Sequence, residues 1–241
     1  MIRLGVNVDH IATIREARGA VAPDPIEAAL IAEGAGCDGI TAHIRQDERH
    51  IKERDIEILR KVIKTKLNIE LSTTPKIVSF VKSVRPDWAC LVPERIEEIT
   101  TEGGLNIFKQ EKELIRCIPE LKGNGIKVTL FIEPEKEIVE KAKELGADAI
   151  EINTKSYALK PETKKEIERI AKSAEIAKSL GLEVHAGHDL NLRNLYRITE
   201  IKEIEEVNIG HSIIARAVFV GLERAVKEIL DILYIVRGYK R

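Results

Sequence analysis

The fold is indicated by a short stretch, Glu144-Leu145-Gly146-Ala147-Asp148-Ala149-Ile150, which passes from a helix-like segment through a glycine into an apolar run. The same order recurs in three other places, at residues 33–40, 121–128 and 179–184. Glycine suits the left-handed backbone position that ends a helix, and a short apolar run behind it is typical of a buried parallel strand. The sequence therefore predicts a chain that alternates helices and strands.

Extending this pattern over the whole chain predicts eight strands with helices between them. Asp24, followed by Pro25 and Glu27, marks one helix start, because Asp caps a helix well and Pro suits its first turn. Strict alternation implies a parallel sheet, and eight units favour a closed barrel. We expect an α/β fold, a single (β/α)8 TIM barrel with accessory helices, in which residues 1–241 form one domain. The strands are expected at residues 3–9, 38–45, 67–72, 87–92, 127–133, 148–153, 182–187 and 206–210.

The composition narrows the possible functions. Lysine and arginine total 39 against 40 acidic residues, so we expect no bulk binding to nucleic acid or to an anionic membrane. No apolar run approaches the roughly 20 residues that span a bilayer, and no signal-peptide apolar region is recognised, so a cytoplasmic location is expected. The three cysteines are too few and scattered for a disulfide framework or a Cys-rich zinc site. We expect Cys37, Cys90 and Cys117 to be reduced and mostly buried.

One face of the predicted strands is unusually polar. In a barrel, alternate strand residues face the helices and the others face the barrel axis, where branched apolar residues normally lie. Most of the polar residues fall at carboxyl ends of strands, where barrel enzymes place their active sites, so we expect a catalytic site there. A buried ion-pair network that holds the barrel together is the structural alternative. The inward-facing residues are expected to be Asn7, Asp9, Thr41, His43, Arg45, Asn68, Glu70, Ser72, Glu133, Glu151, Asn153, Glu183, His185, Asn208 and Gly210.

Histidines and carboxylates at these positions favour proton-transfer chemistry. Glu70 and Glu151 join the histidines as candidate general acids and bases near neutral pH. Because Glu70 lies between Ile69 and Leu71, burial is expected to raise its pKa. No lysine stands at the carboxyl end of a predicted strand, which disfavours a lysine Schiff base. The histidines near predicted strand ends are His10, His43, His185, His188 and His211.

Two loops are suited to bind anions. Ala186-Gly187-His188 follows the seventh predicted strand, and Gly210-His211-Ser212 follows the eighth and opens the last helical region. Barrels commonly bind phosphate after these two strands, at helix N-termini. A second phosphate pocket could form from Arg45, His50 and the loop at residues 100–104, which also suits a mobile lid.

Several motifs together resemble one known family, the pyridoxine 5′-phosphate synthases of vitamin B6 biosynthesis. The resemblance implies a barrel with accessory helices and a homo-octamer. It also implies condensation of 1-deoxy-D-xylulose 5-phosphate with 3-amino-2-oxopropyl phosphate, giving pyridoxine 5′-phosphate, phosphate and water without a metal or redox cofactor. The motifs are GVNVDHIAT at residues 5–13, ARG at 17–19, DGITAHIR at 38–45, DERHI at 47–51, LVPE at 91–94, TTEGG at 100–104, AGH at 186–188 and NIGH at 208–211.

The resemblance also implies a role for individual residues. His43 would be the first proton acceptor, Glu70 the second, His188 the proton donor, and Glu151 the group that stabilises a charged transition state. Asp189 departs from the family pattern, which has glycine after the motif histidine, and a carboxylate that pointed inward there would repel phosphate. The remaining implied substrate contacts are Asn7, Arg18, Gly210 and His211 for the amino-oxopropyl phosphate, and Asp9, His10, Arg45, His50 and Thr100 for the deoxyxylulose phosphate.

Two other functions remain open from the residues. A metal-dependent hydrolase could use Asp9, His43, His185 and His188 as ligands. The first strand lacks a His-x-His pair, and the positive charge of Arg45 would oppose a cation. A barrel that only binds a phosphorylated metabolite is the non-enzymatic alternative, and the intact set of His43, Glu70, Glu151 and His188 argues against it.

Overall fold

The computed structural model describes residues 2–94, 103–160, 164–236 and 238. Eight parallel strands pair in chain order, and β1 also pairs with β8, so the sheet closes into a barrel. This closed barrel confirms the predicted TIM-barrel fold. The strands are β1 (Arg3–Asn7), β2 (Gly39–Ile44), β3 (Lys66–Leu71), β4 (Trp88–Leu91), β5 (Lys127–Ile132), β6 (Ala149–Asn153), β7 (Glu183–Gly187) and β8 (Glu206–Ile209).

Helices surround the barrel, and those beyond one per strand are the expected accessory helices. Within the described ranges, none of them combines the length and apolar character needed to cross a bilayer. The helices are α1 (Asp9–Arg18), α2 (Pro25–Ala35), α3 (Glu53–Val62), α4 (Pro75–Val84), α5 (Glu111–Lys122), α6 (Lys136–Glu144), α7 (Lys155–Leu159), α8 (Lys164–Ser179), α9 (Leu195–Thr199), α10 (His211–Val220) and α11 (Leu222–Val236).

The helix boundaries follow the predicted signals. The carboxylate of Asp24 accepts a hydrogen bond from the backbone N–H of Ile26 at 2.9 Å, which caps α2. Gly36 and Gly146, which follow α2 and α6, have φ angles of 106° and 87°, in the left-handed region that favours glycine. The chain can therefore leave each helix and enter the next strand within a few residues.

The strand residues predicted to face the helices form the core between the two layers. Residues such as Val6, Ile40 and Ile150 are fully buried, and all three cysteines are free and buried, as expected. The observed strands are mostly one or two residues shorter than predicted. β1 ends at Asn7 because the side-chain oxygen of Asn7 accepts a hydrogen bond from the backbone N–H of Asp9 at 2.8 Å, and this turn leads into α1.

The amino-terminal end of the barrel is closed by an ion-pair cluster, which we call the basal cluster: Arg3, Lys66, Glu183, His185 and Glu206. Glu206 pairs with Arg3 and Lys66, and Arg3 also pairs with Glu183. The Nε2 atom of His185 lies 3.1 Å from a carboxylate oxygen of Glu183. The expectation that His185 lies near the catalytic end is therefore wrong. For these residues the structural alternative, a buried ion-pair network, is correct.

Candidate active site

A cavity of about 690 Å³ opens at the carboxyl end of the barrel. Its walls come from strand ends, from the first turns of α1 and α10, and from the loop after β7. Most of the residues predicted for the site meet here. These are Asn7, Asp9, His10, His43, Arg45, His50, Glu70, Glu151, His188, Asp189, Gly210 and His211.

Two predicted site residues are not part of this wall. Arg18 is exposed at the last position of α1, one helix length from the Asp9 end that borders the cavity. It does not line the cavity in the described chain. Thr100 lies outside the described residues, as does most of the predicted lid. Its described end, Gly104, donates its backbone N–H to the Glu133 carboxylate at 2.8 Å, and this bond anchors the loop to the end of β5.

The Asp9 carboxylate organises one side of the cavity. One oxygen accepts the backbone N–H of His43 at 2.8 Å, and the other accepts the side-chain amide of Asn7 at 2.9 Å. Asp9 thus ties the start of α1 to β2. His43 is in register with Glu70 on β3, and its Nδ1 atom lies 3.8 Å from a Glu70 carboxylate oxygen. The two groups expected to transfer protons are therefore neighbours on adjacent strands.

Burial changes the proton affinities of this pair in opposite directions. It lowers the pKa of His43 to about 3, with further lowering from the positive charge nearby, so the imidazole is neutral and can accept a proton. Burial raises the pKa of Glu70 well above its usual value, and the negative charges of Asp9 and Glu151 add to this effect. The raised pKa agrees with the expectation from the apolar neighbours of Glu70.

Glu151 lies across the cavity on β6. Burial raises its pKa to about 7, although the positive field of His185 and a hydrogen bond from Asn208 oppose the rise. The Asn208 amide donates to the Glu151 carboxylate at 2.7 Å, and the Cys90 sulfur lies 4.0 Å from the same oxygen. A carboxyl group with this pKa exchanges protons readily near neutral pH.

Three further imidazoles border the cavity. His10 packs against His211 with ring centroids 5.1 Å apart, and His50 lies 6.0 Å from His43 by the same measure. Burial lowers the pKa of both His10 and His50. These rings are therefore mainly neutral near pH 7 and can donate or accept hydrogen bonds.

A buried ion pair holds His50 in place. The guanidinium of Arg15 in α1 makes two hydrogen bonds with the Asp55 carboxylate in α3, at 2.9 and 2.7 Å. The same guanidinium donates to the backbone carbonyl of His50 at 2.9 Å. Because bidentate pairs fix geometry well, this contact fixes the loop that presents His50 to the cavity.

The cavity offers positive potential in two regions. The first turns of α1 and α10 both border it, and the N-terminus of a helix attracts anions. On the β2 side, Arg45, which is buried, and Arg49 both line the cavity, and both pair with the single carboxylate of Asp47, which leaves a net positive charge. The two regions suit a ligand, or a pair of ligands, with two phosphate groups.

His188 and Asp189 have an uncommon backbone. Their φ angles are 87° and 58°, in the left-handed region where glycine is favoured and where Asp is tolerated better than most residues. The Asp189 side chain is 45% exposed, and its carboxylate lies 3.6 Å from Nε2 of His188. Asp189 therefore takes the conformation that glycine would, but it adds a negative charge to the cavity wall.

A metal site at this end is not favoured by the contacts. Asp9, His43 and His50 place ligand atoms within 4.8 Å of one another. However, both carboxylate oxygens of Asp9 already accept hydrogen bonds, and Arg45 and Arg49 bring positive charge to the same wall. The ligand set considered for a hydrolase is not assembled, because His185 belongs to the basal cluster.

Several residues in the wall were not predicted as site residues. Phe131 packs its ring 6.1 Å from His188, and strand alternation in β5 could have placed it on the inner face. Arg49 lies in the DERHI motif at residues 47–51, in which only His50 is predicted as a site residue. Asn208 is predicted to face inward, but the sequence indicates no function for it. Asn191 and Ser212 lie on loops, where no periodic signal identifies the side chains that reach a cavity.

The fold and the cavity define a (β/α)8-barrel enzyme with acid–base groups and anion-binding helix ends around one pocket. A family model described as pyridoxal phosphate biosynthesis protein PdxJ matches residues 4–234. The chain is 50% identical over 236 residues to a protein of Geobacter sulfurreducens named pyridoxine 5′-phosphate synthase, covering 97% of this chain and 99% of that protein. A protein of Syntrophotalea carbinolica with the same name is 49% identical over the same shares. The chain belongs to the PdxJ family.

Solved structures with similar folds are far more distant in sequence. Thiamine phosphate pyrophosphorylase from Pyrococcus furiosus aligns with a TM-score of 0.63 and 15% identity, covering 98% of this chain and 96% of that one. Phosphoribosyl anthranilate isomerase from Thermus thermophilus gives a TM-score of 0.61 and 12% identity over 98% of this chain and 100% of that one. At such identities the likeness supports the barrel fold alone.

Proposed function

We propose that this chain condenses 1-deoxy-D-xylulose 5-phosphate with 3-amino-2-oxopropyl phosphate to form pyridoxine 5′-phosphate, phosphate and water. The proposal rests mainly on full-length relatives at about 50% identity that carry the name pyridoxine 5′-phosphate synthase. The cavity supports it, since two phosphorylated substrates need two anion-binding regions. Imine formation, phosphate elimination, ring closure and aromatisation are serial proton transfers, for which neutral imidazoles and carboxyl groups of raised pKa are suited.

The proposed proton transfers divide among four residues. His43, neutral because its pKa is low, takes the first proton, and neighbouring Glu70 takes the second. His188, on the opposite wall, donates a proton to the leaving group. Glu151 stabilises positive charge in the transition state as its carboxylate. The amine of the substrate forms the imine, so the site needs no lysine.

The two substrates occupy adjacent parts of the cavity in this proposal, since Asn7 contacts Asp9 and His211 contacts His10. Arg45, His50, Asp9 and His10 bind the deoxyxylulose phosphate, together with Thr100. The amino-oxopropyl phosphate binds at the start of α10. Support for the second site comes from its close packing, since a Cβ atom at Gly210 would lie 3.0 Å from Cβ of Asn7. The cavity residues proposed there are Asn7, Gly210 and His211; Arg18 is proposed from the resemblance alone, because it lies at the far end of α1 from the cavity within this chain.

The proposal extends to the assembly and its surroundings. We propose a homo-octamer in the cytoplasm that works without a metal or redox cofactor. Apolar side chains exposed on the neighbouring helices α1, α2 and α10 support association: Phe219 and Val218 of α10 are 83% and 72% exposed, and Ile14 and Leu30 of α1 and α2 are 45% and 44% exposed. Light scattering after size-exclusion chromatography tests the octamer, and a monomeric mass at micromolar concentration would refute it.

The activity is tested by mixing both substrates with the purified protein and following pyridoxine 5′-phosphate by its absorbance. Reactions that lack either substrate, or contain His43→Asn, serve as controls. Product that requires both substrates and the unaltered protein supports the proposal. Tight binding of both substrates without product would instead favour a barrel that only binds phosphorylated metabolites.

A further inference from the structure

Asn208 connects two sides of the barrel interior. It lies on β8 with its Cα in register with Gly5 of β1 and Gly187 of β7. Its amide nitrogen donates to the Glu151 carboxylate at 2.7 Å. Its amide oxygen accepts the Thr41 hydroxyl at 3.2 Å. The side chain thus reaches β2 on one side and β6 on the other.

The two glycines beside Asn208 make both contacts possible. A Cβ atom at Gly5 would lie 2.0 Å from the Asn208 amide oxygen, and one at Gly187 would lie 2.2 Å from a Glu151 carboxylate oxygen. Both distances are far shorter than any van der Waals contact. Any other residue at either position would therefore displace Asn208 or Glu151. Because Gly5 of β1 and Gly187 of β7 have no side chain, Asn208 can reach past these two strands to Thr41 and Glu151.

A second hydrogen bond sets the direction of the Asn208 amide. The Asn68 amide nitrogen donates to the Thr41 hydroxyl oxygen at 3.3 Å, so the Thr41 proton is directed to the Asn208 oxygen. Because the oxygen of Asn208 is held there, its nitrogen must face Glu151. All four side chains are buried, so this chain of bonds has little competition from water.

We propose that Asn208 is a positioning residue that fixes the orientation of the Glu151 carboxylate, with Gly5 and Gly187 providing the space and Thr41 setting the amide. The inference rests on the proposed role of Glu151. Asn208 acts through Glu151, so its removal lowers turnover while leaving the phosphate-binding residues in place.

The pH profile gives a readout that a merely structural role would not change. Loss of the Asn208 donor removes a bond to the ionised carboxylate, so the Glu151 carboxyl group holds its proton to higher pH. In a plot of kcat against pH, we expect the basic limb to stay in place and the acidic limb to move to higher pH. The other groups that act on Glu151 are unchanged in these variants; they are Lys66 and Glu70 of β3, Cys90 of β4, His185 of β7 and Glu206 of β8.

The test compares Asn208→Ala, Glu151→Gln and the double variant. We expect Asn208→Ala to lower kcat about tenfold to a hundredfold, the usual effect of losing one hydrogen bond to a charged group, with both KM values within about threefold. In the Glu151→Gln background, the same change should lower kcat less than about twofold further, because the group it positions is gone. Equal losses in both backgrounds, or an unchanged kcat in the single variant, would overturn the inference.

Two more variants keep the test decisive if Asn208→Ala folds poorly. Thr41→Val keeps the shape but removes the hydroxyl that sets the amide, so we expect a smaller fall in kcat and a smaller shift of the acidic limb in the same direction. Thr129→Val is the matched control: its buried hydroxyl has no hydrogen-bond partner within the described residues, and kcat should not change. Equal effects of the two valine variants would overturn the inference. Near-native kcat in Glu151→Gln alone would refute the proposed role of Glu151 and this inference with it.

Discussion

Replacing Glu206 by glutamine tests whether the basal cluster stabilises the barrel. The Glu206 side chain is 1% exposed and pairs with Arg3 of the neighbouring strand β1 and with Lys66 of β3, so it connects β8 both to an adjacent strand and to one that is not paired with it. Burial raises its pKa, but the opposing positive charges of His185 and Lys66 dominate and hold it at about 2. The carboxylate of Glu206 is therefore ionised in the folded protein at neutral and mildly acidic pH.

The difference in pKa gives the expected loss of stability. The usual value for glutamate is 4.5, so a folded-state value of about 2 corresponds to roughly 3–4 kcal/mol at about 1.4 kcal/mol per pKa unit. Breaking one partner of a buried ion pair typically costs about 3–5 kcal/mol, which agrees. For a chain of this length, each kcal/mol lowers Tm by about 2–4 °C, so Glu206→Gln should lower Tm at pH 7 by about 10 °C.

The pH dependence has a defined sign. Because the folded-state pKa of Glu206 is below its unfolded value, the contribution is complete above about pH 4.5 and is lost as pH falls towards 2. The difference in Tm between the unaltered protein and the variant should therefore shrink over that window. Calorimetry or circular dichroism measures it, with Glu223→Gln as control. Glu223 pairs with Lys227 on the exposed face of α11, and its loss should change Tm by less than about 2 °C. Equal shifts in the two variants would refute the reasoning.

The remaining predictions concern the cavity. His43→Asn and Glu70→Gln should each lower kcat about 10²–10⁴-fold with near-native Tm and substrate binding, and near-native turnover in either would refute that residue's role. Arg45→Ala should cost about 2–4 kcal/mol of transition-state binding, chiefly in the KM for deoxyxylulose phosphate, and an unchanged KM would exclude Arg45 from that pocket. Activity should survive exhaustive chelation; loss that zinc or manganese restores would refute a metal-free reaction. Asp189→Gly removes a negative charge from the cavity wall and should lower the KM for a phosphorylated substrate. The effect should be at most about fivefold, because the side chain is half exposed and its charge is partly screened. A raised KM would indicate instead that the carboxylate aids binding through His188.

The fold was predictable because local signals repeat. Glycine after four of the helices and an apolar run behind it place the following strands to within one or two residues, and Asp24 places the start of α2. Strand alternation also separated the inner and outer faces of the barrel. The largest difference, two residues at the end of β1, has a local cause, since the Asn7 side chain accepts a hydrogen bond from the Asp9 backbone and the chain turns early into α1.

The site was only partly predictable, because alternation gives the face of a strand but not the depth along the barrel. His43 and His185 both face inward, yet one lies at the cavity and the other in the basal cluster. Depth depends on the stagger between strands, which pairs His43 with Glu70 and His185 with Glu206. That stagger is a tertiary property, and a single sequence pattern does not contain it. The contacts of Asn208 with Thr41 and Glu151 also depend on this stagger, so the sequence alone does not predict them.

Buried glutamates at the amino end of the barrel stabilise the fold, whereas those at the carboxyl end are proposed to act in catalysis. Direct cationic partners explain the difference. In the basal cluster, the Glu206 and Glu183 carboxylates have cationic neighbours, and the pKa of each is about 2, so both remain ionised and hold strands together. At the cavity, Glu70 and Glu151 have other carboxylates nearby and hydrogen bonds from neutral amides, so burial prevails and raises the pKa of each. A buried carboxylate with a direct cationic partner resists protonation, whereas a buried carboxylate without one holds its proton to higher pH. Direct ion pairs with Arg3 and Lys66 at the amino end, and burial without a Lys or Arg ion pair at Glu70 and Glu151 in the described chain, therefore separate stability from reactivity within one polar interior.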